Sequence, residues 1–313
     1  MLGFLARRLI MTVPVIGIVV VIVFLLIRLA PGDPAIIMAG DMASQAQLAA
    51  IRDDLGLDKP IYLQFFYWAG QLLQGDLGVS LHSHKPVAEM ILTRIGPTLS
   101  LAGMTILLSI VVAIPMGVYA ALNRGRLSDK IVMLVAVLGF SMPVFVTGYL
   151  LIYLFSLKMG WFPVQGYVSL GISPWGFLQT VALPTVALST IYIALISRIT
   201  RSSILEVLAE DFVRTARAKG VPESSVVLRH ALRNAAIPIV TVIGSGAAFL
   251  IGGVVVTESV FNIPGIGRLV VESVVSRDYP IIQSLILLLS IIYIGINLIV
   301  DILYTVFDPR IRY

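Results

Sequence analysis

Apolar residues run in long blocks separated by shorter polar stretches, and six blocks are long enough to cross a bilayer: Leu9–Ile27, Thr98–Leu122, Ile131–Leu157, Leu178–Ile196, Ile237–Val256 and Ile281–Leu303. A helix rises 1.5 Å per residue, so about 20 residues cover the ~30 Å of hydrocarbon. The predicted architecture is an all-α membrane protein with about six transmembrane helices. The first block follows Arg7 and Arg8, as a signal peptide does. It outruns the roughly 7–15-residue apolar centre of such a peptide and leads into Arg28-Leu-Ala-Pro-Gly-Asp33, so it is read as a retained helix.

Orientation follows from Lys and Arg alone, because short inside loops collect them and acids contribute little. With the N-terminus inside, the inside segments hold Arg7 and Arg8, then Arg124, Arg126 and Lys130, seven residues from Arg198 to Arg233, and finally Arg310 and Arg312. The outside segments hold only Arg28, Arg52, Lys59, Lys85, Arg94, Lys158, Arg268 and Arg277, spread over more residues. Both termini are therefore expected in the cytoplasm.

Two polar segments exceed a simple turn. The outside one, 31–97, contains an amphipathic stretch around Ser44–Leu55 and the rings of Tyr62, Phe65, Phe66, Tyr67 and Trp68. These suit an aromatic belt at headgroup level or a docking surface for an external partner. The inside one, 197–236, is basic and helix-prone, with Gly220 and Pro222 marking a turn between two short helices. Within the spans, Pro115, Pro143, Pro184 and Pro238 predict kinks, and Gly244-Ser-Gly-Ala-Ala248 predicts close helix approach.

Composition narrows the chemistry. Of 313 residues 58% are apolar and 12% charged, which excludes an ordinary soluble domain with its roughly 25% of charged positions. No cysteine is present, so disulfides, thiolate nucleophiles and Cys-type zinc sites are excluded. The net charge of +5 lies between apolar runs and gives no reason to expect nucleic acid. None of the five lysines is both preceded by Gly and followed by Ser or Thr, so the chain has no Walker A loop. A proton-coupled carrier should hold carboxylates at mid-membrane; the acid within a span, Asp301, lies near an inner end, and Glu258 falls just past an outer end. His82-Ser-His84 offers two imidazoles without a third ligand, and no Ser/His/acid constellation is legible. The chain reads as a non-enzyme, with no metal site.

The inside segment runs from Glu210 to Pro238. Ala216 and Gly220 stand at i, i+4 and Ala218 and Val221 at i, i+3, a small-residue patch ringed by Arg214, Arg217 and Lys219. Such a helix suits a cleft. Gly220 is placed to end it in a left-handed conformation, and Pro222 to open the next.

Arg214-Thr-Ala-Arg-Ala-Lys-Gly220, nine residues, then His230-Ala-Leu-Arg-Asn-Ala-Ala-Ile-Pro238 resembles the cytoplasmic EAA loop of binding-protein-dependent ABC importer permeases. Ala216, Gly220 and Leu232 keep the general spacing. Arg214, Thr215, His230 and Arg233 depart from it in the manner of the dipeptide, oligopeptide, glutathione and nickel branch. Leu29-Ala-Pro-Gly-Asp-Pro34, Leu55-Gly-Leu-Asp-Lys-Pro60, Gly75-Asp-Leu-Gly78-Val-Ser80, Pro97-Thr98, Phe261-Asn-Ile-Pro-Gly-Ile-Gly-Arg268, Arg277-Asp-Tyr-Pro280 and Asp308-Pro-Arg-Ile-Arg312 extend the resemblance to nearly the whole chain, in the B-type form of that branch.

The resemblance implies an ABC type I importer permease fold in a bacterial cytoplasmic (inner) membrane. It divides the chain into an N-terminal transmembrane helix (1–30), an outside loop subdomain (31–97) and a core permease domain of five helices (98–313) carrying the coupling loop at 197–236. It implies half of a translocation path for di- or oligopeptides or glutathione, with nickel as the alternative within the family and an ion-coupled carrier as the alternative outside it. The implied partners are a second homologous permease, two ABC ATPase subunits, an extracytoplasmic substrate-binding protein and the lipid bilayer. ATP and Mg would sit on the ATPase subunits, with no cofactor on this chain. The residues expected to meet the ATPase are Asp211, Arg214, Thr215, Ala216, Arg217, Ala218, Lys219, Gly220, His230 and Leu232.

Overall fold

The computed structural model describes residues 2–28, 44–54 and 59–307, and among these the regular structure is helical apart from one isolated bridge between Val79 and Pro86. The motifs at 29–34 and 308–312, and 55–58 of the Leu55–Pro60 motif, lie outside the described residues. In chain order the helices are α1 (Leu2–Arg28), α2 (Gln45–Asp54), α3 (Ile61–Leu73), α4 (Val87–Leu122), α5 (Leu127–Ser141), α6 (Val144–Lys158), α7 (Pro174–Leu208), α8 (Asp211–Ala218), α9 (Glu223–Asn234), α10 (Ala236–Val260), α11 (Ile266–Ser276) and α12 (Tyr279–Phe307). Among the described residues α4, α7 and α12 are each long and apolar enough to cross a membrane, and the bent pairs α5–α6 and α9–α10 raise the count to five. The shorter apolar stretch Ile10–Leu26 of α1 accounts for the first of the six blocks.

One of the four predicted kinks falls at a break, and a second lies just past one, inside the first turn of α10. Met142 ends α5 in an extended conformation, as the residue before a proline prefers, Pro143 caps α6, and the axes turn by 102°. The α9–α10 pair bends by 57° near Pro238. Pro115 and Pro184 instead lie inside the unbroken α4 and α7. The last turns of α6, Ile152–Lys158, and the middle of α9, Val226–Ala231, are wound as π-helix. α4 also starts eleven residues before the expected Thr98 and runs through Pro97 for 36 residues, so much of it extends past the ~20 that hydrocarbon requires.

The chain divides into two compact units. Among the described residues, one comprises Pro97–Pro264 together with Gly295–Phe307. Its axle is α7, whose buried positions run from Phe177 to Ile204 on the side packed against α5, α6 and α10. The core contains Leu101, Val181, Leu188, Leu250 and Phe261. The outward side chains of α5, among them Ile131, Leu134, Val135, Val137 and Leu138, are more than half exposed and equally apolar. That is the pattern of a protein solvated by lipid, where close packing rather than removal from water holds helices together. Gly244 supplies the close approach anticipated for its stretch: a Cβ there would collide with Val300 of α12.

The other unit comprises the described residues of Leu2–Gly96 and Gly265–Ile294. Ser44 opens α2 with a reciprocal cap: its backbone N–H donates to Gln47 Oε1 at 2.9 Å and its hydroxyl accepts from the Gln47 N–H at 3.3 Å. In α3 the Phe65 and Trp68 rings pack on Phe24 of α1, 5.2 and 5.7 Å between centroids, while Tyr62, Phe66 and Tyr67 stay exposed. Val87, Ile91, Ile266, Leu269, Ile281 and Leu285 form a second apolar cluster. Around it the Ser80 hydroxyl donates to Asp278 at 2.6 Å, His82 Nε2 lies 2.6 Å from the Ser276 carbonyl, and Arg94 meets Glu272 at 3.0 Å.

Candidate functional site

α7 ends at Leu208, and the chain turns through Ala209 and Glu210 into the two-turn α8. Glu210 begins it in extended conformation, its carbonyl accepting from the Val213 and Arg214 N–H groups at 3.1 and 3.4 Å. Asp211 sits in the first turn and Arg217 in the last, each charge complementing the helix dipole. Asp211 accepts from Arg214 at 3.2 Å, and the Thr215 hydroxyl donates to the Asp211 carbonyl at 2.9 Å. Val213 is the one buried residue of α8, and the helix packs against the π-wound part of α9.

The helix closes with the left-handed turn expected at Gly220, whose φ is +76°. The Gly220 N–H donates to the Arg217 carbonyl at 2.9 Å and the Val221 N–H to the Ala216 carbonyl at 3.2 Å. This is the paired Schellman arrangement, and glycine adopts its left-handed residue without a Cβ penalty. Pro222, in extended conformation, sits immediately before the first residue of α9 rather than within its first turn. Arg217 then reaches across the turn to Glu223, Nε to Oε2 at 3.1 Å and Nη2 to Oε1 at 2.6 Å. That hydrogen-bonded carboxylate raises the Arg217 guanidinium above its ordinary pKa.

Eight of the ten anticipated residues lie together on α8 and its closing turn. Asp211, Arg214, Thr215, Arg217, Ala218, Lys219 and Gly220 are exposed, and Ala216 is half-buried. A Cβ on Gly220 would meet nothing within 4 Å, so the room beside this turn is unused by the chain itself. The other two lie on α9. His230 is half-buried, and its carbonyl accepts from the Asn234 side chain at 2.7 Å. Leu232 packs against a cluster formed by Ala121, Ile204, Ala231, Ala235 and Ile239, and so anchors α9 to α4, α7 and α10.

Val213 and Glu223 are further residues of this segment that the motif spacing does not single out. An acid six residues beyond Arg217, across a Gly-Val-Pro turn, is a signal that could have identified Glu223 as its partner. The ion pair of the buried Asp129 at the start of α5 with the half-buried Arg201 on α7 has no pairing cue in the linear sequence.

A family model described as the binding-protein-dependent transport system inner membrane component matches residues 113–313, and the N-terminal model of that membrane component matches residues 1–102. The chain belongs to this family. The permease is 50% identical over 99% of its length to a probable peptide ABC transporter permease protein of Sinorhizobium fredii, of which the match covers 99%. It is 45% identical over 100% of both chains to the glutathione transport system permease protein GsiC of Escherichia coli. Among solved structures, an inward-facing conformation of the MetNI methionine ABC transporter aligns with a TM-score of 0.58 at 16% identity, covering 70% of this chain and 96% of that one. The permease therefore has the type I ABC importer permease fold and is a multi-pass inner-membrane protein. Membership in the family implies an ATPase and a substrate-binding protein as partners.

Proposed function

We infer that this permease forms half of a path for short peptides or glutathione, completed by a second homologous permease. Two ATPase subunits, carrying ATP and Mg, engage α8, and a substrate-binding protein delivers cargo at the other membrane face. Asp211, Arg214, Thr215, Arg217, Ala218, Lys219 and Gly220 meet the ATPase directly. Ala216 and His230 border them, and Leu232 holds the segment in place. The termini and the coupling segment lie in the cytoplasm, in keeping with the excess of Lys and Arg on that side. The 31–97 segment then lies outside.

The observation that carries this reading is the exposed two-turn helix closed at its C-terminal end by the Gly220 turn, with a charged rim and open space at Gly220. A rigid element pre-set for a cleft transmits force, because little of the movement is lost in bending it. The peptide and glutathione names of the relatives favour those cargoes over nickel. They also leave the ion-coupled carrier without support.

The test is to purify the permease with whatever it holds and to identify the ligand on the associated binding protein. Recovery of a second permease, an ATPase and a peptide- or glutathione-loaded binding protein is expected. A permease recovered alone that still moves cargo would contradict the reading.

A further inference from the structure

The inner ends of four helices are tied beneath α8 by one apolar cluster: Ala121 of α4, Ile204 of α7, Ala231 of α9, and Ile239 of α10 with the preceding Ala235. No residue of α5 belongs to this cluster. α5 reaches it by packing along α7, and at the start of α5 a charge pair reinforces that packing. Arg201, on α7 one turn before Ile204, donates from Nε to Asp129 Oδ1 at 2.6 Å and from Nη2 to Oδ2 at 2.8 Å. The Gly125 N–H adds a third bond to Oδ2 at 2.9 Å, from a turn where Gly125 has φ +80°. The Asp129 residue is 3% exposed.

A carboxylate removed from solvent and held by three donors is fixed in direction as well as in distance, since the planar guanidinium fork admits one geometry. α5 is also half of the pair bent by 102°, the sharper of the two breaks. We propose that Asp129 and Arg201 form a positioning joint that makes α5 follow the apolar knot under α8. When the ATPase displaces α8, α7 carries Arg201 with it, and the fork draws the start of α5 along, so the bent pair changes angle. The joint rests on the reading that an ATPase docks on α8.

The test uses the full complex in nanodiscs. Spin labels go on cysteines at Leu134→Cys of α5 and Leu228→Cys of α9, both exposed positions in a chain without native cysteine. The separation is measured in nucleotide-free and vanadate-trapped states, alone and with the neutral pair Asp129→Asn plus Arg201→Gln. Replacing both partners avoids leaving one buried charge unpaired. A parallel Ala218→Cys crosslink to the ATPase reports docking. With the native pair, the two labels should keep one separation in both states. With the neutral pair, the separation should shift on trapping while the Ala218 crosslink is unchanged. A neutral pair that holds the native separation in both states, or that no longer assembles with the ATPase, overturns the joint. Absence of the crosslink with the native pair overturns docking on α8, and the joint with it.

Discussion

Arg217 clasps Glu223 with two hydrogen bonds, at 3.1 and 2.6 Å, across the turn that closes α8. Both side chains are about half exposed. An exposed pair contributes only about 0.2–1 kcal/mol, so its importance lies in setting the turn rather than in overall stability. Glu223→Ala should leave expression and thermal stability of the complex essentially unchanged while lowering uptake several-fold. Exchanging the charges, Arg217→Glu with Glu223→Arg, should recover part of the loss. Uptake assays beside a thermal melt check this, and a large fall in melting temperature would go against it.

Gly220 has a left-handed backbone and nothing within reach of an added Cβ. Gly220→Ala should therefore cost only about 1 kcal/mol of backbone strain in the permease. Gly220→Glu should insert normally yet abolish uptake, because the clash arises only against a partner. Membrane-fraction yield and uptake, measured together, separate the two effects.

Gly117 of α4 lies against α7, where an added Cβ would stand 2.6 Å from the Ser197 carbonyl oxygen. Backbone cannot rotate aside as a side chain can. Gly117→Val should destabilise the permease by about 1–3 kcal/mol and reduce its yield, as overpacking does. A thermal shift of the detergent-solubilised complex reads the effect.

Single cysteines report orientation directly, since the chain has none of its own. Ala218→Cys should resist a membrane-impermeant maleimide in intact cells and react after permeabilisation. Ser83→Cys, beside His82 and His84, should react in both. The opposite pattern would invert the topology.

The apolar blocks were legible because a length of about 20 residues is a physical requirement of the bilayer and leaves its mark in one dimension. Gly220 and its closing turn were legible for a similar reason: a left-handed position selects its residue locally. The beginning of α4 was not. Glu89, Thr93 and Arg94 read as loop, yet they belong to a helix that continues past the hydrocarbon, where polar side chains cost nothing. Spacing also placed Leu232 in the coupling motif without revealing that it faces inward against Ile204 and Ile239. The Asp129–Arg201 pair was hidden more deeply, because the residues lie 72 positions apart and only the packing of α5 on α7 brings them together. The aromatic run of α3 divides its work in a way composition does not show, with Phe65 and Trp68 anchoring α1 and the remaining rings exposed.

The decisive question is what α8 touches in the assembled transporter. Place a photoreactive crosslinker at Ala218→Cys, with a control at Leu134→Cys on α5, and identify the products in membranes by mass spectrometry. The expected result is an ATPase adduct from position 218 that strengthens when nucleotide is trapped, and none from position 134. Adducts from position 218 with lipid or water alone, while uptake continues at its normal rate, would contradict it.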